Sequence, residues 1–145
     1  MQIPASWADT SSLLDPKTVS DYNVVQFADL DSRYTSKALK GDAYSSTIRM
    51  QQFANPREGV VKGVTDAYKA NSMYDDVTTE ETEFNGHKAT VVSTKLIEDN
   101  LTITDIAIDR NGDEKACVLI TLQAMPNDVE TVLSYISTWN LPDQA

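Results

Sequence analysis

The sequence predicts an α+β domain: an antiparallel β-sheet of about six strands flanked by two helices, one on each face. Three observations carry this. Two Asn-Gly dipeptides, Asn85-Gly86 and Asn111-Gly112, each separate runs of strand-forming residues. Asn-Gly is a strong hairpin signal, because both central residues of the turn must take positive φ. Two segments, near residues 55–68 and 127–138, follow an N-capping residue with apolar side chains at helical spacing. Finally, the strands of the second hairpin are apolar at both parities, so their sheet needs cover on both sides.

In chain order, residues 8–21 read as loop, with the turn formers Asp9-Thr10-Ser11-Ser12 and Asp15-Pro16. A short strand follows at about Tyr22–Ala28. The polar stretch Asp29–Asp42 closes on Gly41-Asp42, a turn signal. Ala43–Phe53 sets Ile48 and Met50 among Ser, Thr, Arg and Gln and reads as a second strand. The first helix takes Asn55 as N-cap, Pro56 as its first helical residue and Glu58 as the capping-box partner. Val60, Val61, Val64, Ala67 and Tyr68 form its apolar face. Gly59 and Gly63 weaken the helix and would let it approach a sheet closely.

Four strands follow: Val77–Phe84, Lys88–Ile97, Leu101–Arg110 and Glu114–Ala124. The Asn-Gly turns join them in pairs, and the short link Glu98-Asp99-Asn100 makes all four a meander. The last helix runs from its cap, Asn127, to about Thr138, with Glu130 at the capping-box position and Val129, Val132, Leu133 and Ile136 as its stripe. A two-residue loop at Asn111-Gly112 implies a register. Ile103 then faces Ile120, Leu101 faces Leu122 and Ala107 faces Ala116 on one side. Ile106 faces Cys117 and Thr104 faces Leu119 on the other. Asp105, opposite Val118, breaks the apolar pattern without a reason visible in the sequence.

Bulk properties bound the function classes. A chain of 145 residues, 41% of them hydrophobic, suits one core and one domain spanning 1–145. No apolar run approaches the roughly 18 residues of a membrane span. The formal charge of −10 opposes binding to nucleic acid or an anionic membrane. It fits a cationic partner, and the plainer reading is a solvated acidic surface. The lone Cys117 excludes an internal disulfide.

The opening Ile3-Pro4-Ala5-Ser6-Trp7 resembles the start of PsbP-like domains of bacterial envelope lipoproteins, in which a strand runs into a Pro-x-x-Trp turn. Tyr22-Asn23-Val24-Val25-Gln26 is similar to that family's next strand, and Phe84-Asn85-Gly86-His87-Lys88-Ala89 to its hairpin. The ending matches too: a meander, a last strand, then a helix after Pro-Asn. The resemblance in element order covers nearly the whole chain, through short motifs. It implies an α/β/α sandwich on an antiparallel sheet and a secreted or lipid-anchored parent whose signal segment has been removed. A cytoplasmic location is the alternative. The family is mostly non-enzymatic, with binding and assembly roles, and includes a photosystem II subunit and a Ran-binding nuclear protein. Neither specific role carries over, because no motif here is particular to either.

No residue constellation specifies chemistry. His87, the one histidine, follows a hairpin turn and should be solvated. Cys117 lies roughly 16 Å from that end of the sheet, beyond the reach a Cys–His pair needs, so both read as structural. Asp109-Arg110-Asn111-Gly112-Asp113 superficially resembles half a calcium loop, but its glycine is fourth and Ile120 stands where the bidentate glutamate belongs. Asp75, Asp76, Glu80, Glu81 and Glu83 form an acidic run, a candidate docking surface whose plainer reading is cross-strand pairing, as of Glu83 with Lys88. Nothing marks a glycosidase cleft, a phosphate loop, a nucleophile elbow or a zinc pattern. The sequon Asn100-Leu101-Thr102 is uninformative in a bacterial protein. Trp7 and Trp139 are candidate partner-binding anchors, with Tyr22, Tyr34, Tyr44 and Tyr135 as possible company. Their plainer reading is packing over the core edges.

The sequence therefore leads to a non-catalytic cell-envelope domain that binds a protein partner or assists an assembly, as a monomer or weak dimer, without cofactor or metal. The alternatives are an acidic immunity or inhibitor protein that neutralises a basic toxin, and a small-molecule carrier with an apolar cavity. Because the carboxylates lack ligand spacing, calorimetry should detect no calcium or zinc binding tighter than about millimolar. A micromolar isotherm would refute the metal-free reading.

Overall fold

The computed structural model of the protein describes residues 7–9, 11, 15–29, 47–84, 86–97, 101–110, 113–125 and 129–136. Seven strands and three helices are arranged as an α+β fold. In chain order they are β1 (Trp7–Asp9), α1 (Pro16–Tyr22), β2 (Val25–Asp29), β3 (Thr47–Phe53), α2 (Arg57–Lys69), β4 (Tyr74–Phe84), β5 (His87–Leu96), β6 (Leu101–Arg110), β7 (Asp113–Ala124) and α3 (Val129–Ile136). The sheet order is β1-β2-β3-β7-β6-β5-β4, and every neighbouring pair is antiparallel. The expected meander is there, with β3 added beside β7. The count exceeds expectation by one strand and one helix.

Helix α1 lies where the sequence reads as loop. Its start has Pro16 after Asp15, whose carbonyl accepts from the Val19 N–H at 3.0 Å. Its end is set by Asn23, at φ 48°, a left-handed position that asparagine tolerates. The Val24 N–H then reaches back to the Val19 carbonyl at 3.1 Å, a Schellman closure. Val24 is buried, which anchors this short helix ahead of β2. The strand expected from Tyr22 accordingly begins at Val25. The segment 30–46, with the expected Gly41-Asp42 turn, lies outside the described residues, as do Asn127 and Glu98-Asp99-Asn100.

The two hairpins behave differently. In the first, Phe84 pairs with His87 and Glu83 with Lys88, the register of a two-residue turn, and Gly86 supplies φ 84°. In the second, that register survives only at Arg110–Asp113. Three residues of β7, Glu114 to Ala116, then stand against none of β6, and Asp109 pairs with Cys117. The shift is odd, so every expected cross-strand pair changes partner. Ile106 faces Ile120, Ala107 faces Leu119, and Asp105 faces Thr121. The reason is polar. In the simple register Asp105 would be buried against Val118, whereas here Thr121 Oγ1 donates to its carboxylate at 2.5 Å. An unsatisfied buried charge is among the costliest features a sheet can hold.

The two-sided apolar pattern does not depend on that register. Ile106 and Ile108 of β6 join Ile48, Val118, Ile120, Leu122 and Ala124 in one cluster under Val132 and Ile136 of α3. Ala107, between them in sequence, faces the other way and joins Cys117 and Leu119 under Val60 of α2. Thus α2 and α3 cover opposite faces, and α1 lies on the α2 side, where Tyr22 meets Phe53 at 5.1 Å between ring centroids.

Helix α2 departs from expectation at its start and along its length. Pro56, at φ −58° and ψ 145°, is the N-cap itself, and no side chain caps the helix. Asn55 and Glu58 therefore form no capping box. Gly59 and Gly63 are exposed, and a Cβ built on either meets nothing within 4 Å. They face open space and mediate no close approach to the sheet. Replacing Gly63 with Ala should therefore stabilise the protein by about 1 kcal/mol, the propensity difference in a helix interior. Urea unfolding measures it, and a lowered midpoint would show that the position is sterically restricted.

Candidate functional site

The site worth considering is built around α2. Its outward glycines leave an apolar trough of about 470 Å³ lined by Phe53, Asn55, Pro56, Gly59, Val60, Gly63, Val64 and Ala67. Phe53 comes from the end of β3, and the other lining residues come from the start and flank of the helix. The apolar face read from the sequence is therefore split. Val60 is buried, Val61 and Val64 are half-buried against the sheet, and Ala67 opens to the trough.

Polar groups clamp both ends of the same helix. At its start, Arg57 Nε donates to Asp109 Oδ1 at 2.9 Å and Nη1 to Glu81 Oε2 at 2.7 Å. Nη1 also lies 2.5 Å from Thr90 Oγ1, which itself donates to Glu81 Oε1 at 2.8 Å. One guanidinium so ties α2 to β6, β4 and β5. Arg57 donation and the Thr90 hydroxyl hold the Glu81 carboxyl below its usual range despite wide exposure. Beside this cluster is a smaller cavity of about 220 Å³, lined by Pro56, Arg57, Glu58, Lys88 and Asp109. Its charges are of both signs and Arg57 is already engaged.

At the far end, Tyr68 Oη donates to Asp105 Oδ2 at 2.5 Å. Asp105 is 2% exposed, and burial raises its carboxyl above the ordinary value, although Thr121, Tyr68 and the Arg49 charge all favour the ionised form. Burial beside that carboxylate also drives the Tyr68 phenol upward. Paired positions run Gln26–Arg49–Thr121–Asp105 across β2, β3, β7 and β6, a polar row on the α2 face. Arg49 Nε donates to Gln26 Oε1 at 2.9 Å. Desolvation lowers the Arg49 guanidinium, and Asp105 pulls it back up.

The residues singled out from sequence scatter. Trp7 is half-buried against the α3-side cluster and meets Tyr135 edge-on, centroids 5.5 Å apart at 84°. Its position is that of the plainer reading, packing at the core edge. Trp139, Tyr34 and Tyr44 lie outside the described residues. Asp75, Asp76, Glu80 and Glu81 are all exposed on β4, an edge strand, yet they make no single patch. Asp76 sits at a bulge with φ 54°. Asp75, opposite Lys95, and Glu80, opposite Val91, point to the α3 side. Glu81, opposite Thr90, points to the α2 side and is spoken for by Arg57. Cys117 is buried between Phe53 and Asp109 on neighbouring strands, away from its expected partner Ile106. Burial pushes its thiol up to about 11, the opposite of an activated nucleophile. His87 is half-buried beside Phe84 at the hairpin. Asp109, first residue of the calcium-like run, is turned into the Arg57 cluster. Among the described residues, no three His, Cys, Asp or Glu side chains converge as a metal site, and no helix is long and apolar enough to cross a membrane.

Neither a family model nor a curated protein matches the sequence. Solved structures do match the fold. One is PA94 from Pseudomonas aeruginosa, a protein of unknown function and candidate regulator. It aligns over 100% of this chain and 92% of its own, at 17% identity and a TM-score of 0.58. Another is the cyanobacterial PsbP (CyanoP) of Synechocystis sp. PCC 6803, aligned over 94% of this chain and 79% of its own, at 16% identity and a TM-score of 0.54. The fold is PsbP-like. At these identities the likeness concerns architecture alone, and the PsbP-like frame explains the element order without assigning work to any residue.

Asp105 makes a measurable prediction. Its folded-state carboxyl lies above the unfolded value, so the folded protein holds the proton more tightly. The stability this gives is full below the unfolded pKa of about 3.9 and is lost as pH rises through the folded value. Asp105→Asn removes the titration. The stability of the variant relative to the parent should therefore rise between pH 4 and pH 7 in urea unfolding. Parallel curves at the two pH values would contradict the raised carboxyl.

Proposed function

We propose that this protein is a non-catalytic binding domain that holds an apolar segment of a protein partner in the trough beside α2. The observation that carries the reading is that trough. It stays open because Gly59 and Gly63 carry no side chains to fill it. An apolar concavity of this size on a small domain is a natural docking place. The carboxylates of Asp75, Asp76 and Glu80 on the β4 edge lie off the trough and add to the overall negative charge, which draws a cationic partner at long range. Placement in the cell envelope, on the lipoprotein branch of PsbP-like proteins and with an assembly role, rests on the Ile3–Trp7 resemblance. The acidic edge gives the inhibitor of a basic toxin a claim as the second reading.

Gly63→Leu fills the trough from a position where a Cβ meets nothing within 4 Å, so the variant should fold. Affinity capture from fractionated extracts of the native organism should recover a partner in the envelope fraction with the parent protein and lose it with Gly63→Leu. Neutralising Asp75, Asp76 and Glu80 together should slow association, as should raised salt, and leave dissociation unchanged. If the charge variant abolishes binding and Gly63→Leu does not, the inhibitor reading replaces this one. A small molecule that copurifies and is displaced by Gly63→Leu would make the domain a carrier. Turnover of a substrate, lost on a single substitution, would overturn every binding reading.

A further inference from the structure

Helix α2 lies across β4, β5, β6 and β7 but buries few side chains of its own. It is thirteen residues long, and Val60 is its one buried residue. Val61 and Val64 rest half-buried on the cluster of Ala107, Cys117 and Leu119, and the two glycines and Ala67 face the trough. Glycine at two interior positions makes the helix intrinsically weak, and no side chain caps its start. Polar grips sit at both ends, and at the far end the Tyr68 ring also packs on Leu96, Leu101 and Ile103. Arg57 grips Asp109, Glu81 and Thr90, and Tyr68 grips Asp105. The larger cluster, from Ile48 through Ile120 to Val132 and Ile136, lies on the other face and includes no residue of α2. The two faces are therefore separable. Losing α2 from one leaves the packing of the other in place, the condition for a low-energy local opening.

We infer that α2 is a lid. It lifts from the sheet as a unit about its joints at residues 54–56 and 70–73, while the sheet and α3 remain folded. The polar clamps at Arg57 and Tyr68 set how often it opens. Opening extends the trough into one continuous apolar surface made of Phe53, Ala107, Cys117 and Leu119 together with the inner flank of the helix. The lid deepens the partner-binding reading, because it enlarges the surface on offer. Its test uses no partner, so the two can fail separately.

Cys117 is the natural reporter. It is the single cysteine, it is 0% exposed, and it lies in the cluster that Val60 covers. The rate of its labelling by an aromatic disulfide reagent is measured on the whole protein across urea concentrations below the unfolding midpoint. A lid gives a urea dependence clearly shallower than that of global unfolding, because less surface is exposed. Tyr68→Phe should speed labelling about tenfold, since it removes one hydrogen bond to a carboxylate, and Arg57→Ala should speed it more, since it removes bonds to two carboxylates and to Thr90. Val132→Ala, on the opposite face, should lower the unfolding midpoint and leave labelling in the absence of urea unchanged. Labelling that follows global unfolding in its urea dependence, or that Val132→Ala accelerates in step with lost stability, overturns the lid. Hydrogen exchange of the parent protein decides the matter should a variant fail to fold. The α2 amides must share one shallow opening, distinct from that of the β6 and β7 amides, and a single opening common to all of them refutes the inference.

Discussion

A carboxylate buried in the middle of a sheet constrains everything around it. Asp105 is nearly inaccessible, and an ion in such a place is tolerated only when donors surround it. Thr121 across the strand and Tyr68 from the helix above provide them. To bring Thr121 opposite, β7 must bulge by three residues near its turn. To bring Tyr68 overhead, the last turn of α2 must lie over β6. The register of the central strands and the placement of the helix thus answer to one side chain, and Arg49 in the same row softens its charge.

The two faces of the sheet solve the covering problem differently. On the α3 side, branched aliphatic side chains of β3, β6 and β7 pack with Val132 and Ile136. Close packing of this kind resists opening because every neighbour must move together. On the α2 side the apolar contact is divided between two smaller clusters, and hydrogen bonds at the helix ends share in the fastening. Directional bonds localise a helix without filling the space beside it. An open apolar trough next to a polar clamp is the consequence.

Parts of this were legible in the residues themselves. Asn85-Gly86 placed the first hairpin and its register, because a turn that needs two positive φ values leaves few alternatives. The spacing of Val129, Val132, Leu133 and Ile136 marked the inward stripe of α3. Helix α1 carries its signals too. Asp15-Pro16 opens it and Asn23 closes it, but a seven-residue helix has too few apolar positions to show a period. The site was far less visible. Arg57 meets partners 52, 24 and 33 residues away, and nothing about an arginine in a first helical turn names them. Gly59 and Gly63 stand out in the sequence, but whether a glycine faces a sheet or a void depends on how the helix is rolled.

Local rules act over a few residues, through φ preferences, side-chain period and capping, and at that range the sequence by itself determined the meander, the two longer helices and the need for cover on both sheet faces. The tertiary structure decided the rest: the bulge that turns Asp105 toward Thr121, the clamps at either end of α2, the trough along it, and the separation of Glu81 from the other β4 carboxylates. These turn on which side chains from distant segments meet in a medium of low dielectric, where satisfying one buried charge outweighs the geometry a two-residue turn prefers.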